Sequence, residues 1–214
     1  MDRGDVDLSL GGAHDPGMSI YHDASRRWQD HFDTRRLADR IQERIVHETI
    51  EAGDRAFIEA RDMFFLATAD EDGFPTCSYK GGEPGFVRVL DERTLAFPVY
   101  DGNGMFLSVG NLTLNPRVGL LFVDFEGQKR LRLDGIASVD EADPLLGEYE
   151  RAQAVVRVEA VRVYPNCPRY IHKLQLVERS RFTPRADCDP PVPDWKRREW
   201  ARDVLAAGDP ANES

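Results

Sequence analysis

Residues 97–122 read FPVYDGNGMFLSVGNLTLNPRVGLLF, and this stretch decides the fold. An apolar run at 97–100 breaks at the turn Asp101-Gly102-Asn103-Gly104, and a short segment at 105–115 then places Phe106, Val109 and Leu112 on one side of a predicted helix. Asn115-Pro116 stops that helix, because the residue before a proline is pushed out of helical backbone geometry. A second apolar run follows at 118–125. A glycine-broken turn at a strand end exposes backbone N–H groups, which suits a flat, anionic ligand; a plain hairpin turn is the alternative reading.

Upstream, MFFLAT at 63–68 ends in Asp70-Glu71-Asp72-Gly73, a hairpin signal, and a second strand candidate follows at 75–79. KGGEPG at 80–85 reads as a turn, and FVRVL at 86–90, DER at 91–93 and TLAF at 94–97 repeat the unit of strand, turn and strand. Downstream, 118–125 and 129–139 are two longer strands. The second alternates Leu131, Leu133 and Ile136 with Arg130, Arg132 and Asp134, which implies one buried face and one wet or ligand-facing side. After an acidic link through Asp143 and Pro144 comes another strand at 155–164. Six or seven antiparallel strands, most paired with their sequence neighbours, predict a mainly β domain with flanking helices, built as a small closed or split barrel.

Leu37, Ile41 and Ile45 fall at helical spacing from Thr34 onward and predict an amphipathic helix ending near Gly53, followed by a second helix at 54–61 that carries Phe57 and Ile58 toward the core. Residues 1–25 are glycine-rich and acidic without a sustained period, so they read as a tail able to order against a partner subunit. The expected organisation is a tail at 1–27, one domain at 28–188 and an extension at 189–214, proline-rich at first, with a basic-fronted helix over 195–205 and a fraying end.

With 214 residues, 41% of them hydrophobic, the chain buries one substantial core. A net charge of −10 with scattered cations disfavours nucleic acid and anionic membranes as partners and favours a small molecule. No apolar run reaches the roughly 20 residues of a membrane span, and the N-terminus lacks the apolar core of a signal peptide, so a cytoplasmic location is expected. Cys77, Cys167 and Cys188 are odd in number and far apart, which supports neither a disulfide framework nor a metal site. His14, His22, His31 and His47 lie in the tail or first helix and read as solvated. There is no Ser-His-Asp signature, P-loop or dinucleotide-binding glycine pattern.

Four pieces in register, FLATADEDGFP at 65–75, TLAF at 94–97, Asn111-Leu112 with NPRVGLLF at 115–122, and RLRLDG at 130–135, resemble the pyridoxamine 5′-phosphate oxidase-like proteins of the FMN-binding split-barrel superfamily. The collinear resemblance covers roughly 57–140. It implies a homodimer with FMN at the subunit interface. By position, Ser78, Tyr79 and Lys80 match the strand along the flavin and its phosphate chain, with Lys80 supplying a charge; a solvated lysine at an ordinary strand end is the alternative. Pro98, Val99 and Tyr100 match the strand whose backbone meets the ring edge, and Asn103, Gly104 and Met105 match the phosphate-contacting turn.

The chain also departs from that pattern. Pyridoxamine phosphate oxidases usually carry an Arg-Lys pair where Gly104-Met105 stands, which leaves Lys80, backbone N–H groups near Asn103-Gly104, and Arg130 or Arg132 to meet a phosphate. No Trp- and Arg-containing segment for gripping the vitamin phosphate is recognisable at 169–185, so vitamin B6 oxidation is not expected. YPNCPRYIHK at 164–173 is similar instead to the Asn-Cys-Pro-x-Tyr-Ile segment of another branch of the superfamily. Its two prolines force a rigid turn that aims Asn166, Cys167 and Arg169, either into a ligand pocket or as a structural closure of the barrel. A nucleophilic Cys167 requires a cationic neighbour and exposure. The resemblance thus implies an FMN-dependent oxidoreductase acting on a small molecule, with no essential acid or base identified. The alternatives are a deazaflavin cofactor near Lys80, Arg130 and Arg169, and a non-catalytic module that binds flavin or haem.

Overall fold

The computed structural model describes residues 19–186 and 189–213; the segment 1–18, with His14, and Cys188 lie outside them. Three helices precede the sheet, α1 (Asp23–His31), α2 (Arg35–Ile45) and α3 (Ala52–Glu59). The expected domain boundary at residue 28 falls inside α1. This helix buries no residue, so it leaves no apolar period to read in the sequence; it is held to α2 by Arg26–Asp39 at 2.6 Å and Arg35–Asp30 at 2.5 Å. The helix expected to run to Gly53 instead stops at Ile45. Val46 turns extended, and His47 exchanges two backbone hydrogen bonds with Val163 of the sheet, at 3.1 and 2.7 Å. A new helix then starts at Ala52 under a reciprocal cap. The Glu51 side chain accepts from the Asp54 backbone, and Asp54 Oδ2 accepts from the Glu51 N–H at 3.0 Å. His47 is half-buried, with Nε2 2.7 Å from Asp54 Oδ2, and not a solvated residue of the first helix.

Seven strands follow. They are β1 (Met63–Ala69), β2 (Pro75–Gly81), β3 (Arg88–Val89), β4 (Thr94–Tyr100), β5 (Arg117–Asp124), β6 (Lys129–Asp140) and β7 (Ala152–Pro165), with helix α4 (Leu107–Leu114) between β4 and β5. All pair antiparallel, in the order β2-β1-β5-β6-β7-β4-β3. Four of the six ladders join sequence neighbours, as the turn signals predict. The two long-range ladders, β1 with β5 and β4 with β7, put β2 and β3 at opposite edges, so the sheet is open in the manner of a split barrel.

The β1–β2 turn is set by Asp70, whose Oδ1 accepts the N–H groups of Asp72 and Phe74 at 3.0 and 2.8 Å, and by Gly73 at φ 84°. Lys80, read as a turn residue by its neighbours Gly81-Gly82, lies inside β2 opposite Phe64. The core centres on fully buried Phe64, whose ring lies 5.0 Å from Phe97, 5.2 Å from Phe122 and 5.8 Å from Phe86. Each such aromatic contributes a few kcal/mol by burial and about 1 more by ring geometry.

The C-terminal extension forms a 3-10 turn at Asp194–Arg197 and a one-turn helix α5 (Glu199–Arg202), not one helix over 195–205. Extended backbone at Arg198 separates them. Among the described residues, no helix is long and apolar enough to cross a membrane.

Candidate functional site

Successive residues of β2 point to opposite faces, so Ser78 and Lys80 share a face with Thr76 while Tyr79 points the other way. Helix α4 lies against the first of these faces. Asn111 Nδ2 donates to Thr68 Oγ1 at 3.0 Å and Thr76 Oγ1 at 3.3 Å, and one turn earlier Ser108 Oγ is 3.1 Å from Ser78 Oγ. The helix therefore runs antiparallel to β2, with its N-terminus toward the Lys80 end of the strand.

That N-terminus carries no side-chain cap, and its N-cap residue Phe106 sits at φ 48°. Its first N–H groups, at 107–109, meet no acceptor among the described residues; the first satisfied one is Gly110, bonded to the Phe106 carbonyl at 2.8 Å. Lys80 is half-buried, its ammonium makes no ion pair or hydrogen bond among the described residues, and burial holds it below the usual lysine range. An uncompensated cation beside two hydroxyls and an uncapped helix N-terminus is a donor set for a phosphate monoester. These residues fit the phosphate end of FMN.

The turn that the resemblance matches to a phosphate lies just ahead of the unsatisfied N–H groups of α4. Asn103, Gly104 and Met105 form an exposed loop ahead of α4, where Asn103 Oδ1 accepts the Met105 N–H at 3.1 Å and Asn103 Nδ2 reaches Met105 Sδ at 3.3 Å. The free donors begin at Leu107-Ser108. Ser108 was missed, although counting two turns back from the Asn115-Pro116 stop finds it. Phe106, expected on the buried side of the helix, is 52% exposed, because it precedes the helix in left-handed backbone. Pro98 is buried in β4 opposite Val155, and Val99 packs against the core, so their side chains serve the sheet.

The remaining predicted residues fall into two further groups. Tyr79 and Tyr100 line a cavity of about 890 Å³ between the ends of β2 and β4 and the C-terminal extension. Burial raises both phenols above the usual tyrosine range, with Asp62 adding to the effect at Tyr79. Arg130 and Arg132 lie on the face of the sheet opposite Lys80, which Tyr79 also shares, and Asn166, Cys167 and Arg169 gather near them. Asn166 donates its backbone N–H to the Arg130 carbonyl at 3.4 Å, and Arg130 Nε is buried with no partner among the described residues. Arg169 Nε stands 3.3 Å from the sulfur of exposed Cys167, and this hydrogen bond, with charge from Arg169 and Arg130, holds the thiol below its usual range. Arg132 and Asn166 line a second cavity of about 440 Å³ with Asp134, which burial pushes above the carboxylate range against Arg162 and Arg132. Lys80 and Arg130 do not form one basic channel within the chain. They lie three strands apart, about 14 Å at ordinary strand spacing, and on opposite faces.

A family model described as pyridoxamine 5′-phosphate oxidase matches residues 50–177. No curated protein matches the chain. Among solved structures, HupZ of Group A Streptococcus is 19% identical with a TM-score of 0.45, covering 54% of this chain and 93% of its own. HutZ, the haem storage protein from Vibrio cholerae, is 20% identical with a TM-score of 0.39, covering 52% and 89%. An FMN-binding protein from Syntrophomonas wolfei is 10% identical with a TM-score of 0.41, covering 67% and 95%. The family model spans well over half of the chain, in the segment that holds the whole sheet and α4, and the protein accordingly belongs to the pyridoxamine 5′-phosphate oxidase family, within the FMN-binding split-barrel superfamily.

Proposed function

We propose that the protein is an FMN-dependent oxidoreductase acting on a small molecule, working as a homodimer with the flavin at the subunit interface. The observation that carries this reading is the half-buried Lys80, uncompensated by any acid among the described residues, on the face shared with Ser78 and opposite Ser108 at the start of α4. A lone half-buried cation is costly, and a dianionic phosphate offsets the cost. The exposed apolar side chains around that helix start, Met105, Phe106 and Leu107, at 61%, 52% and 52% exposure, support a second subunit covering the site. FMN, when bound, supplies hydride and electron transfer. The chain's own part is to hold the phosphate through Lys80, the two serines and the helix N-terminus, and to position the ring against a partner subunit. No described side chain is required as an acid or base.

The test is the absorption spectrum and subunit mass of the purified protein, with the ligand released on denaturation identified by chromatography. A yellow dimer that releases FMN, is reduced by NADH or NADPH and reoxidises in air supports the reading. A preparation that takes up haem or a deazaflavin and rejects FMN overturns it, as does a stable monomer.

A further inference from the structure

We propose that the 890 Å³ cavity lined by Tyr79 and Tyr100 binds a flat, largely apolar molecule that is uncharged or carries an amine, and turns away phosphate and carboxylate groups. Treating that molecule as the substrate rests on the flavin reading above; the selectivity of the cavity does not.

The walls set the shape. Tyr79 and Tyr100 come from the ends of β2 and β4, Phe182 from the segment after β7, and Trp195 with the prolines at 190, 191 and 193 from the C-terminal extension. Aromatic and proline rings are rigid faces that stack on planar ligands at low entropic cost. The roof is pinned in place. Buried Lys196, 4% exposed, reaches Asp101 on the turn after β4 at 2.9 Å and Asp209 at 2.6 Å.

The charges set the sign. Five carboxylates line the cavity, those of Asp62, Asp101, Glu178, Asp194 and Asp209, against three cations, Arg151, Arg179 and Lys196. Every one of those cations is already paired: Arg151 with Asp189, Arg179 with Glu83 at 3.4 Å, and Lys196 with its two aspartates. Asp62 and Glu178, by contrast, make no ion pair among the described residues, and the hydroxyls of Tyr79 and Tyr100 have no hydrogen-bond partner there. The unpaired charged groups on the walls are thus two carboxylates, beside the neutral phenols and the side chains of Gln153 and Thr183. An anionic ligand would be desolvated without a counter-charge, whereas an ammonium or a neutral hydrogen-bond donor finds acceptors waiting. A cavity of this sign differs from one built for a phosphorylated vitamin.

Calorimetric titration of the full chain with naphthylmethylammonium, naphthylmethanol and naphthoate tests the proposal, with retained flavin read separately by absorbance. The ammonium compound is expected to bind about tenfold or more tighter than the carboxylate, with the alcohol between them. The double variant Asp62→Asn, Glu178→Gln should lose about tenfold for the ammonium and little for the alcohol. Equal or tighter binding of naphthoate overturns the proposal, and so does failure of all three probes to bind protein that still carries flavin. A preference for the cation in protein that never takes up flavin supports the cavity's selectivity and overturns only the flavin reading.

Discussion

Lys196 Nζ donates to Asp101 Oδ2 across 2.9 Å, and this contact joins the C-terminal extension to the turn that leads from β4 into α4. Burial alone would lower the Lys196 ammonium, yet the hydrogen bonds it donates to Asp209 and Asp101 outweigh it and hold the group above the usual lysine range. The extension is therefore part of the structure around the Tyr100 end of β4.

Replacing Lys196 by Met leaves Asp101 and Asp209 facing each other without a cation and should loosen the extension by about 1–3 kcal/mol while the sheet stays intact. Native-state hydrogen exchange and limited proteolysis check this. Cleavage near 185–193 should speed up several-fold, with unchanged protection of β5 and β6.

Gly135 marks the register shift between β6 and β7, and a Cβ there would meet Val158 Cγ1 at 2.5 Å and the Glu159 carbonyl oxygen at 2.6 Å. One of these atoms is backbone and cannot swing away. Gly135→Ala should destabilise the protein by about 1–3 kcal/mol in denaturant unfolding, whereas Gly208→Ala, with nothing within 4 Å, should change stability by less than about 0.5 kcal/mol.

Much of the strand pattern was legible because turn chemistry and period-2 alternation are local. Asp70 and Gly73 announce the first hairpin, and Leu131 and Leu133 announce a buried face on β6, whereas Ile136, expected on that face, is 41% exposed beyond the register shift at Asp134 and Gly135. What was not legible depends on contacts distant in sequence. The capture of His47 by Val163 ends α2 early, and α1 buries nothing, so neither leaves a periodic trace. The candidate site was legible in part. Ser78 and Lys80 share a face, as period 2 requires, which separates Tyr79 from them. Ser108 comes into play only because α4 runs back along β2. That Cys167 and Arg169 touch each other was not legible, since the two prolines fix only the directions of the turn's side chains.

Asp143 is 5% exposed and bound by Arg157 at 2.5 and 2.9 Å, and that hydrogen-bonded guanidinium holds its carboxyl below the usual carboxylate range. A depressed folded value contributes stability above the unfolded value near about 4 and loses it as pH falls through the folded one. Asp143→Asn should cost about 1–2 kcal/mol at pH 7, discounted because Arg157 remains partly in water. The deficit should shrink below about pH 4. Thermal melts of both proteins across pH 3–7 check the sign.

Cys167 is exposed and its thiol lowered by Arg169, whereas Cys77 is exposed and its sulfur has no hydrogen-bonded arginine among the described residues. Iodoacetamide at neutral pH should therefore label Cys167 faster than Cys77, and Arg169→Ala should slow that labelling several-fold. Peptide mass spectrometry at timed intervals reads both rates. Equal rates at the two cysteines would remove the assigned effect of the guanidinium.

The proposed flavin seat is an anion site between Lys80, Ser78, Ser108 and the N-terminus of α4. Titration of flavin-free protein with FMN and with riboflavin, followed by quenching of flavin fluorescence, measures that seat directly, since the two ligands differ only in the phosphate. Binding of FMN about 100-fold tighter than riboflavin, with Lys80→Ala erasing about 10- to 100-fold of the difference, or about 1.5–3 kcal/mol, is the predicted result. Equal affinity for the two flavins, or undiminished FMN binding in the Lys80→Ala protein, would contradict it.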